Sequence, residues 1–147
     1  MKYYSYENFK TDTNILIQQV KPFEAEAIVG IARGGLILAH CISEGLNIRN
    51  VQSLRTELYD DTQKRDAITI HNNCSFDEIK KVLVVDDISD SGDTLNAVMN
   101  ELKEKHQDIE FKSATLFYKK TSIHEPHFWI NEANEWIEFF WEKDFNS

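Results

Sequence analysis

Cysteine is scarce in this chain of 147 residues, which contains only Cys41 and Cys74. No histidine pair at zinc-ligand spacing accompanies them, so the sequence has no pattern for a structural zinc site. Two cysteines also cannot form the dense disulfide framework of a small secreted domain. We therefore expect two reduced thiols, a cytoplasmic location, and a core position for Cys41, which lies within an apolar helical pattern.

Proline and long apolar runs are lacking as well. The chain has two prolines and five glycines, no internal repeat and no Pro/Gly-rich linker, which favours one domain spanning residues 1–147. No apolar run approaches the roughly 20 residues that a transmembrane helix needs. The first residues also lack the apolar region of a secretory signal.

Positive charge is in deficit, since 16 Lys and Arg residues stand against 25 Asp and Glu residues and give a net charge of -9. This balance argues against a general affinity for nucleic acid or anionic lipid. If the ligand is an anion, the field of the whole protein opposes its binding. Backbone amides, individual basic side chains and a metal ion must then hold it locally.

Apolar residues recur with alternating strand and helix patterns along the chain. A first helix capped by Ser5 is predicted from the helical spacing of Phe9, Thr13, Leu16, Ile17 and Val20, and a later one from that of Leu95, Val98, Met99 and Leu102. A further helix is predicted over 36–46, and strands over 27–31, 51–59, 67–70, 82–85 and 111–118. Strands that alternate with helices indicate a mostly parallel sheet with helices on both faces, which binds ligands at the carboxyl ends of its strands.

The most informative stretch runs from Val82 to Thr94. Its first four residues are apolar and three are β-branched, which predicts a strand buried on both faces. Asp86 and Asp87 follow, and a loop of small residues then leads into a helix. Loop amides and a helix N-terminus attract an anion. Because carboxylates there suit a ligand that also carries hydroxyls or a divalent cation, the segment suggests a phosphorylated ribose.

This segment resembles the motif that binds 5-phosphoribosyl-1-pyrophosphate (PRPP) in type I phosphoribosyltransferases: an apolar strand, Asp-Asp, two residues, Asp, and then Ser-Gly-x-Thr. About ten positions are constrained by residue type, which is far more specific than a single glycine-rich turn. The resemblance implies an α/β fold with a mostly parallel central sheet, flanking helices and a small C-terminal hood, mainly residues 119–147. The alternative is an acidic turn in which Thr94 merely caps the helix.

The resemblance also implies roles within this motif. Asp86 and Asp87 would bind the ribose, and Asp87 would face Mg²⁺ directly or through water. Asp90 would contact the purine and take the proton from its N7 atom, although a loop Asp of this kind also closes turns in its own backbone. The 5′-phosphate would be held by Ser91, Gly92, Asp93 and Thr94, with Asp93 contributing its backbone only.

Two further segments are implied to hold the pyrophosphate. Arg33, Gly34 and Gly35 follow the first predicted strand, where the glycines would let the backbone curl around an anion and Arg33 would bind it. Residues Tyr59 to Arg65 resemble the loop that closes over PRPP, with Arg65 neutralising the pyrophosphate. Taken alone, the first segment is an ordinary tight turn and the second an ordinary hairpin loop.

The base pocket is expected in the C-terminal third of the chain. Lys119 follows a strand and matches the lysine that faces the 6-oxo group of the purine, although the adjacent Lys120 is an alternative. Trp136 and Ile137, with Trp141 nearby, resemble the segment that covers the base in bacterial xanthine–guanine phosphoribosyltransferases. Trp136 would stack on the ring and Ile137 would contact its edge. An aromatic cluster without the upstream motif would indicate core.

The implied function is purine salvage: transfer of the phosphoribosyl group from Mg-PRPP to guanine, xanthine or hypoxanthine, with release of pyrophosphate. The family commonly forms dimers or tetramers, so a homo-oligomer is expected. One alternative is a regulatory protein that binds PRPP or a nucleotide without transfer. Another is a phosphoribosyltransferase with adenine or a pyrimidine as acceptor. The preference among the three oxopurines stays open because backbone atoms are expected to contact the 2-position.

Overall fold

Strands and helices alternate along the chain in a computed structural model, which describes residues 1–58 and 68–146. In chain order the elements are β1 (Lys2–Tyr4), α1 (Tyr6–Val20), a 3₁₀ turn (Lys21–Phe23), β2 (Ala27–Ala32), α2 (Leu36–Leu46), β3 (Val51–Leu58), β4 (Ile68–His71), β5 (Lys81–Val85), β6 (Ile88–Ser89), α3 (Asp93–Lys105), β7 (Glu110–Tyr118), β8 (Phe128–Glu132), β9 (Ile137–Phe139) and α4 (Phe140–Lys143).

The central sheet has the strand order β4-β3-β2-β5-β7, and both β6 and β8 also pair with β7. All these pairings are parallel except β3 with β4. Val84 of β5 lies opposite Val29 of β2 and Ser113 of β7. The predicted α/β fold with a mostly parallel sheet is confirmed. β2, β5 and β7 all run toward its carboxyl edge, where β7 extends beyond the end of β5 and pairs with β6.

Alternate residues of β5 face two different layers of helices. Leu83 and Val85 pack in a cluster with residues of α1 and α2, whereas Val82 and Val84 pack with residues of α3. Each such buried side chain stabilises the fold by about 1.5–3 kcal/mol relative to its exposed state. The buried residues of α1 are Phe9, Thr13, Leu16, Ile17 and Val20, and those of α3 are Leu95, Val98, Met99 and Leu102, as predicted.

The ends of several elements differ from the sequence prediction by one residue. β2 continues to Ala32 and β7 begins at Glu110. The Oγ of Ser5 accepts the backbone N–H of Asn8 and so caps α1 as predicted. The predicted strand ends at Tyr59 and Ala67 lie outside the described residues.

The N-terminal strand pairs with a strand near the C-terminus, which the sequence did not predict. β1 runs parallel to β9, with Tyr4 opposite Phe139. Tyr4 is buried, contacts Phe117 and Phe139 edge-on, and donates its hydroxyl to Oδ2 of Asp12 at 2.7 Å. These contacts attach the segment before β9, which contains Trp136, to the rest of the fold. None of the helices in the described part of the chain is long and apolar enough to cross a membrane.

Candidate active site

The ends of three neighbouring strands bring most of the predicted site residues to one edge of the sheet. Arg33, Gly34 and Gly35 follow β2, Asp86 and Asp87 follow β5, and Lys119 follows β7. Asp86 is fixed there by its own N–H, which donates to the carbonyl of Ala114 in β7 at 3.2 Å. Arg65 was also predicted to belong to this site, but it lies outside the described residues.

Asp86 and Asp87 are partly buried carboxyl groups with few local partners. Asp86 Oδ1 accepts the N–H of Asp87 at 2.8 Å, and Asp87 Oδ1 accepts the N–H of Ile88 at 2.8 Å. Desolvation raises the pKa of both carboxyls, and the neighbouring charge of Asp87 raises the pKa of Asp86 further. Two such groups are electrostatically unfavourable when both are ionised, so they suit a bound ligand or cation.

The turn after β2 approaches the carboxylates so closely that neither glycine has room for a side chain. A Cβ on Gly34 would lie 2.7 Å from Cγ of Asp87, and one on Gly35 would lie 3.0 Å from Cα of Asp86. The turn is closed by the N–H of Gly35, which donates to the carbonyl of Ile31 at 2.8 Å. The predicted pyrophosphate turn is therefore in direct contact with the predicted ribose site, and the side chain of Arg33 is exposed beside it.

The loop from Ile88 to Gly92 ends at the N-terminus of α3, where Gly92 is the N-cap with a φ of 86°. Glycine provides no side chain to cap the helix, so most of the N–H groups in the first turn have no side-chain acceptor in the described residues. Ser91 Oγ accepts one of them, the N–H of Asp93, at 3.2 Å. Thr94 lies inside α3 and is not its N-cap. The alternative in which Thr94 merely caps the helix is therefore wrong. Free amides at this position suit a phosphate group.

Asp90 and Lys119 lie next to each other in the lining of a cavity of about 300 Å³. Lys119 Nζ is 3.7 Å from Asp90 Oδ1, whereas Lys120 points away and lies 3.5 Å from Glu132. This geometry favours Lys119 over Lys120 as the pocket lysine. Within the described residues the carboxylate of Asp90 accepts no backbone N–H, so it does not close a turn in its own loop. We call this space the base cavity; it is lined by Asp87, Ile88, Asp90, Lys119, Ala133, Asn134, Glu135, Trp136, Ile137, Phe139 and Glu142.

Trp136 and Ile137 both line the base cavity, as predicted, but they differ in exposure. The side chain of Trp136 is 68% exposed, whereas Ile137 is buried. The carbonyl of Trp136 accepts the N–H of Lys2 at 2.8 Å, so the strand β1 fixes the backbone beneath this ring. An exposed indole on a fixed backbone is available to stack on a flat ligand.

Trp141 does not line the base cavity. The expectation that it belongs to the segment covering the base is therefore wrong. Its ring stacks on Phe139, with 4.6 Å between centroids, and contacts Phe9 edge-on. Trp141 packs against Phe9 and Phe139 because β9 ends at Phe139 and α4 turns the chain back toward α1. Trp141 instead lines a second space, the arginine cavity of about 640 Å³, formed by Arg33, Gly34, Leu36, Ile37, Asp87, Trp141, Glu142, Phe145 and Asn146.

Asp87 is the residue at which the separate parts of the site meet. It lines the base cavity, the arginine cavity and a third space of about 220 Å³, the loop cavity, formed by residues 86–92 with Thr94 and Leu95. Glu142 lines the first two and its charge contributes to the raised pKa of Asp87. No sequence motif indicates Glu142, because the packing of α4 against a distant strand end brings it there.

Comparisons with known proteins agree with this arrangement. A model of the phosphoribosyl transferase domain matches residues 8–146. The xanthine-guanine phosphoribosyltransferase of Idiomarina loihiensis is 30% identical over 142 residues, which cover 94% of this chain and 84% of that protein.

Two solved structures extend the comparison to the whole fold. The Helicobacter pylori xanthine-guanine-hypoxanthine phosphoribosyltransferase has a TM-score of 0.90 and 40% identity, over 97% of this chain and 94% of that one. A purine phosphoribosyltransferase from Pyrococcus horikoshii has a TM-score of 0.86 and 28% identity, over 96% and 93%. The resemblance inferred from residues 82–94 is confirmed, and this chain belongs to the type I phosphoribosyltransferase family.

Proposed function

We propose that this enzyme transfers the 5-phosphoribosyl group from PRPP to a 6-oxopurine in purine salvage. The observation that supports it best is the position of Asp87, which lies where the base, arginine and loop cavities meet. PRPP bound there would have its ribose at Asp86 and Asp87, its pyrophosphate near Arg33 and Gly34, and its 5′-phosphate at Ser91 to Thr94. The anomeric carbon would then face the base cavity.

The base would lie between Trp136 and the pair formed by Asp90 and Lys119. The Lys119 ammonium donates hydrogen bonds, so it would bind a 6-oxo group and disfavour the amino group of adenine. Stacking on the exposed indole of Trp136 would add about 1–3 kcal/mol, as it does for other nucleobases. Ile137 would pack against the edge of the ring.

In the transfer step, a ring nitrogen of the purine forms a bond to the anomeric carbon while the bond from that carbon to pyrophosphate breaks. Asp90 would accept the proton from N7, which makes the attacking nitrogen more nucleophilic. The turn at residues 33–35 and Arg33 would hold the departing pyrophosphate. We propose that Arg65 also neutralises the pyrophosphate. The segment 59–65 to which it belongs is proposed to exclude water from the reacting carbon.

Magnesium fits the donor set at the centre of the site. Asp86 and Asp87 supply hard carboxylate oxygens, and burial raises the pKa of both, a shift that a bound cation would oppose by favouring the ionised forms. Mg²⁺ keeps several waters and takes few protein ligands, so Asp87 would hold it directly or through water. When bound, the ion would offset the negative charge that develops on pyrophosphate.

Pyrophosphate release with PRPP, Mg²⁺ and a panel of bases tests this proposal. We expect release with guanine, xanthine and hypoxanthine, and only background release with adenine, uracil and orotate. Release with adenine or a pyrimidine alone would change the acceptor class and contradict the role of Lys119. Binding of PRPP with no release for any base would instead support a regulatory protein.

We further propose that the chain is one catalytic domain, in which residues 119–147 supply most of the cover over the base, and that it assembles into dimers or tetramers. Light scattering coupled to size-exclusion chromatography measures the assembly. A mass equal to one chain at assay concentration would contradict it.

A further inference from the structure

We propose that Ser122, Ile123 and His124, which we call the brace, hold the 5′-phosphate loop in its binding conformation. In this inference Ser122 and His124 are positioning residues that act through the loop and touch no substrate. The inference rests on the proposed function, because that function makes the 5′-phosphate the ligand of the loop. The brace follows β7 and belongs to no motif identified in the sequence.

Backbone hydrogen bonds attach the brace region to the loop at two points. The N–H of Lys119 donates to the carbonyl of Ser89 at 3.0 Å, and the N–H of Ile123 donates to the carbonyl of Ser91 at 2.9 Å. In a planar trans peptide the N–H points away from the C=O of the same unit. Binding of the Ser91 carbonyl therefore turns the N–H of Gly92 away from the brace and leaves it free for an anion.

Side-chain hydrogen bonds add a second attachment at the start of the loop. The hydroxyl of Ser89, which is buried, donates to the carbonyl of His124 at 2.8 Å and lies 2.8 Å from the hydroxyl of Ser122. Ser122 Oγ also accepts the N–H of His124 at 3.2 Å. Removal of the Ser122 hydroxyl would therefore take one of two hydrogen-bond partners from the buried Ser89 hydroxyl and the acceptor from the N–H of His124.

The brace also packs directly on the loop at Gly92. A Cβ on Gly92 would lie 2.7 Å from the backbone nitrogen of His124 and 2.9 Å from that of Ile123, and it would collide with Ser122 Oγ. Gly92 is the left-handed N-cap that directs the loop into α3. The brace thus limits the loop on the side opposite its amide groups.

The side chain of His124 anchors the brace to the central sheet. His124 Nε2 lies 2.9 Å from the hydroxyl of Ser113, which is fully buried in β7. The same hydroxyl accepts the N–H of His127 at 3.3 Å, and the N–H of Ser113 donates to His127 Nδ1 at 3.0 Å. Loss of the imidazole would remove this side-chain attachment of the brace to β7 and so loosen the loop that the brace holds.

The test compares Ser122→Ala, His124→Ala and His124→Gln with the control Thr121→Ala. Gln places a polar group near the position of the imidazole Nε2, and Thr121 is exposed in the same turn. We expect the alanine variants at 122 and 124 to raise KM for PRPP about two- to tenfold, as the loss of a hydrogen bond predicts. KM for the base should stay unchanged, and the Gln variant should restore most of the affinity for PRPP.

Hydrogen exchange of the amides of residues 91–94 gives a readout that needs no activity. We expect faster exchange in Ser122→Ala and His124→Ala than in the wild type and in Thr121→Ala. Unchanged KM for PRPP and unchanged exchange in both variants would overturn the inference, as would an equal rise in both KM values. A wild-type protein without PRPP-dependent turnover would contradict the proposed function, and exchange alone would then decide the role of the brace.

Discussion

Gly34 and Asp87 are in contact across two adjacent strand ends, with no space for a side chain between them. A Cβ at residue 34 would lie 2.7 Å from Cγ of Asp87 and would overlap Oδ2. The same carboxylate accepts the N–H of Ile88 through Oδ1, which fixes its orientation. The bare backbone of Gly34 therefore allows the acid proposed for ribose and metal to lie against the turn proposed for pyrophosphate.

Replacement of Gly34 by Ala should displace the Asp87 carboxylate and lower kcat/KM for PRPP. A displacement of about 1 Å at a reacting centre costs about a hundredfold in rate. Pyrophosphate release measures the effect. The control is Gly45→Ala, where the atom nearest to the added Cβ is the terminal Cδ1 of Ile17, remote from the proposed site, and activity should be retained. Normal kcat/KM in Gly34→Ala would contradict the proposed role of this contact.

The stability of the ligand-free protein should fall as the pH rises through the raised pKa values of Asp86 and Asp87. Burial raises the pKa of Asp87 to about 6 and that of Asp86 well above 3.8. The folded state keeps these protons where the unfolded chain has lost them, so ionisation at higher pH favours unfolding.

The substitution Asp86→Asn should therefore raise Tm at pH 8, by about 2–4 °C for each kcal/mol of removed repulsion. At low pH, where the native carboxyl is protonated, the difference should vanish. Differential scanning calorimetry measures it, with the exposed Asp108→Asn as control. A lower Tm for Asp86→Asn than for the wild type at pH 8 would show that the ionised acid stabilises the empty site.

Removal of the Asp90 carboxylate should lower kcat much more than it raises KM for PRPP. The carboxylate lies 3.7 Å from Lys119 Nζ beside the base cavity and is proposed to accept the N7 proton, a contribution of about 10²- to 10⁴-fold in rate. Steady-state kinetics of Asp90→Ala measure the effect, with Asp77→Ala, an exposed acid, as control. Turnover of Asp90→Ala equal to that of the wild type would remove Asp90 from the chemistry.

The adjacent lysines provide a matched pair for base recognition. Lys119→Gln should lower kcat/KM for the oxopurines by roughly ten- to hundredfold, the usual effect of losing a hydrogen bond to a charged group. Lys120→Gln should leave it unchanged, because Lys120 pairs with Glu132 outside the base cavity. The same base panel measures both variants. A larger loss in Lys120→Gln would reverse the assignment.

Much of the fold follows from local patterns in the sequence. The buried faces of α1 and α3 follow from apolar residues at helical spacing, and the position of Asp86 and Asp87 follows from the end of an apolar strand. Short-range physics decides these features, since each depends on residues within a few turns of one another. Lys119 could be located by the same reasoning because it directly follows β7.

The rest depends on contacts between residues that are distant in the sequence. Trp141 carries the same aromatic signal as Trp136, yet Trp141 stacks on Phe139 against the core and Trp136 is exposed at the base cavity, because β9 and α4 turn them in different directions. The pairing of β1 with β9 and the contacts of Ser122 with Ser89 and Gly92 join segments that share no local pattern. Only the folded chain places them together.

Calorimetric titration of the protein with PRPP in the presence of Mg²⁺ tests the central claim most directly. That claim is that Asp86 and Asp87, at the end of β5, bind the sugar and its metal ion. We predict saturable binding to the wild type and a large loss of affinity in Asp86→Asn and Asp87→Asn. The titration is run at several temperatures, because a binding enthalpy that is zero at one temperature is not zero at the others. The absence of binding heat with the wild type at all of them would contradict the claim.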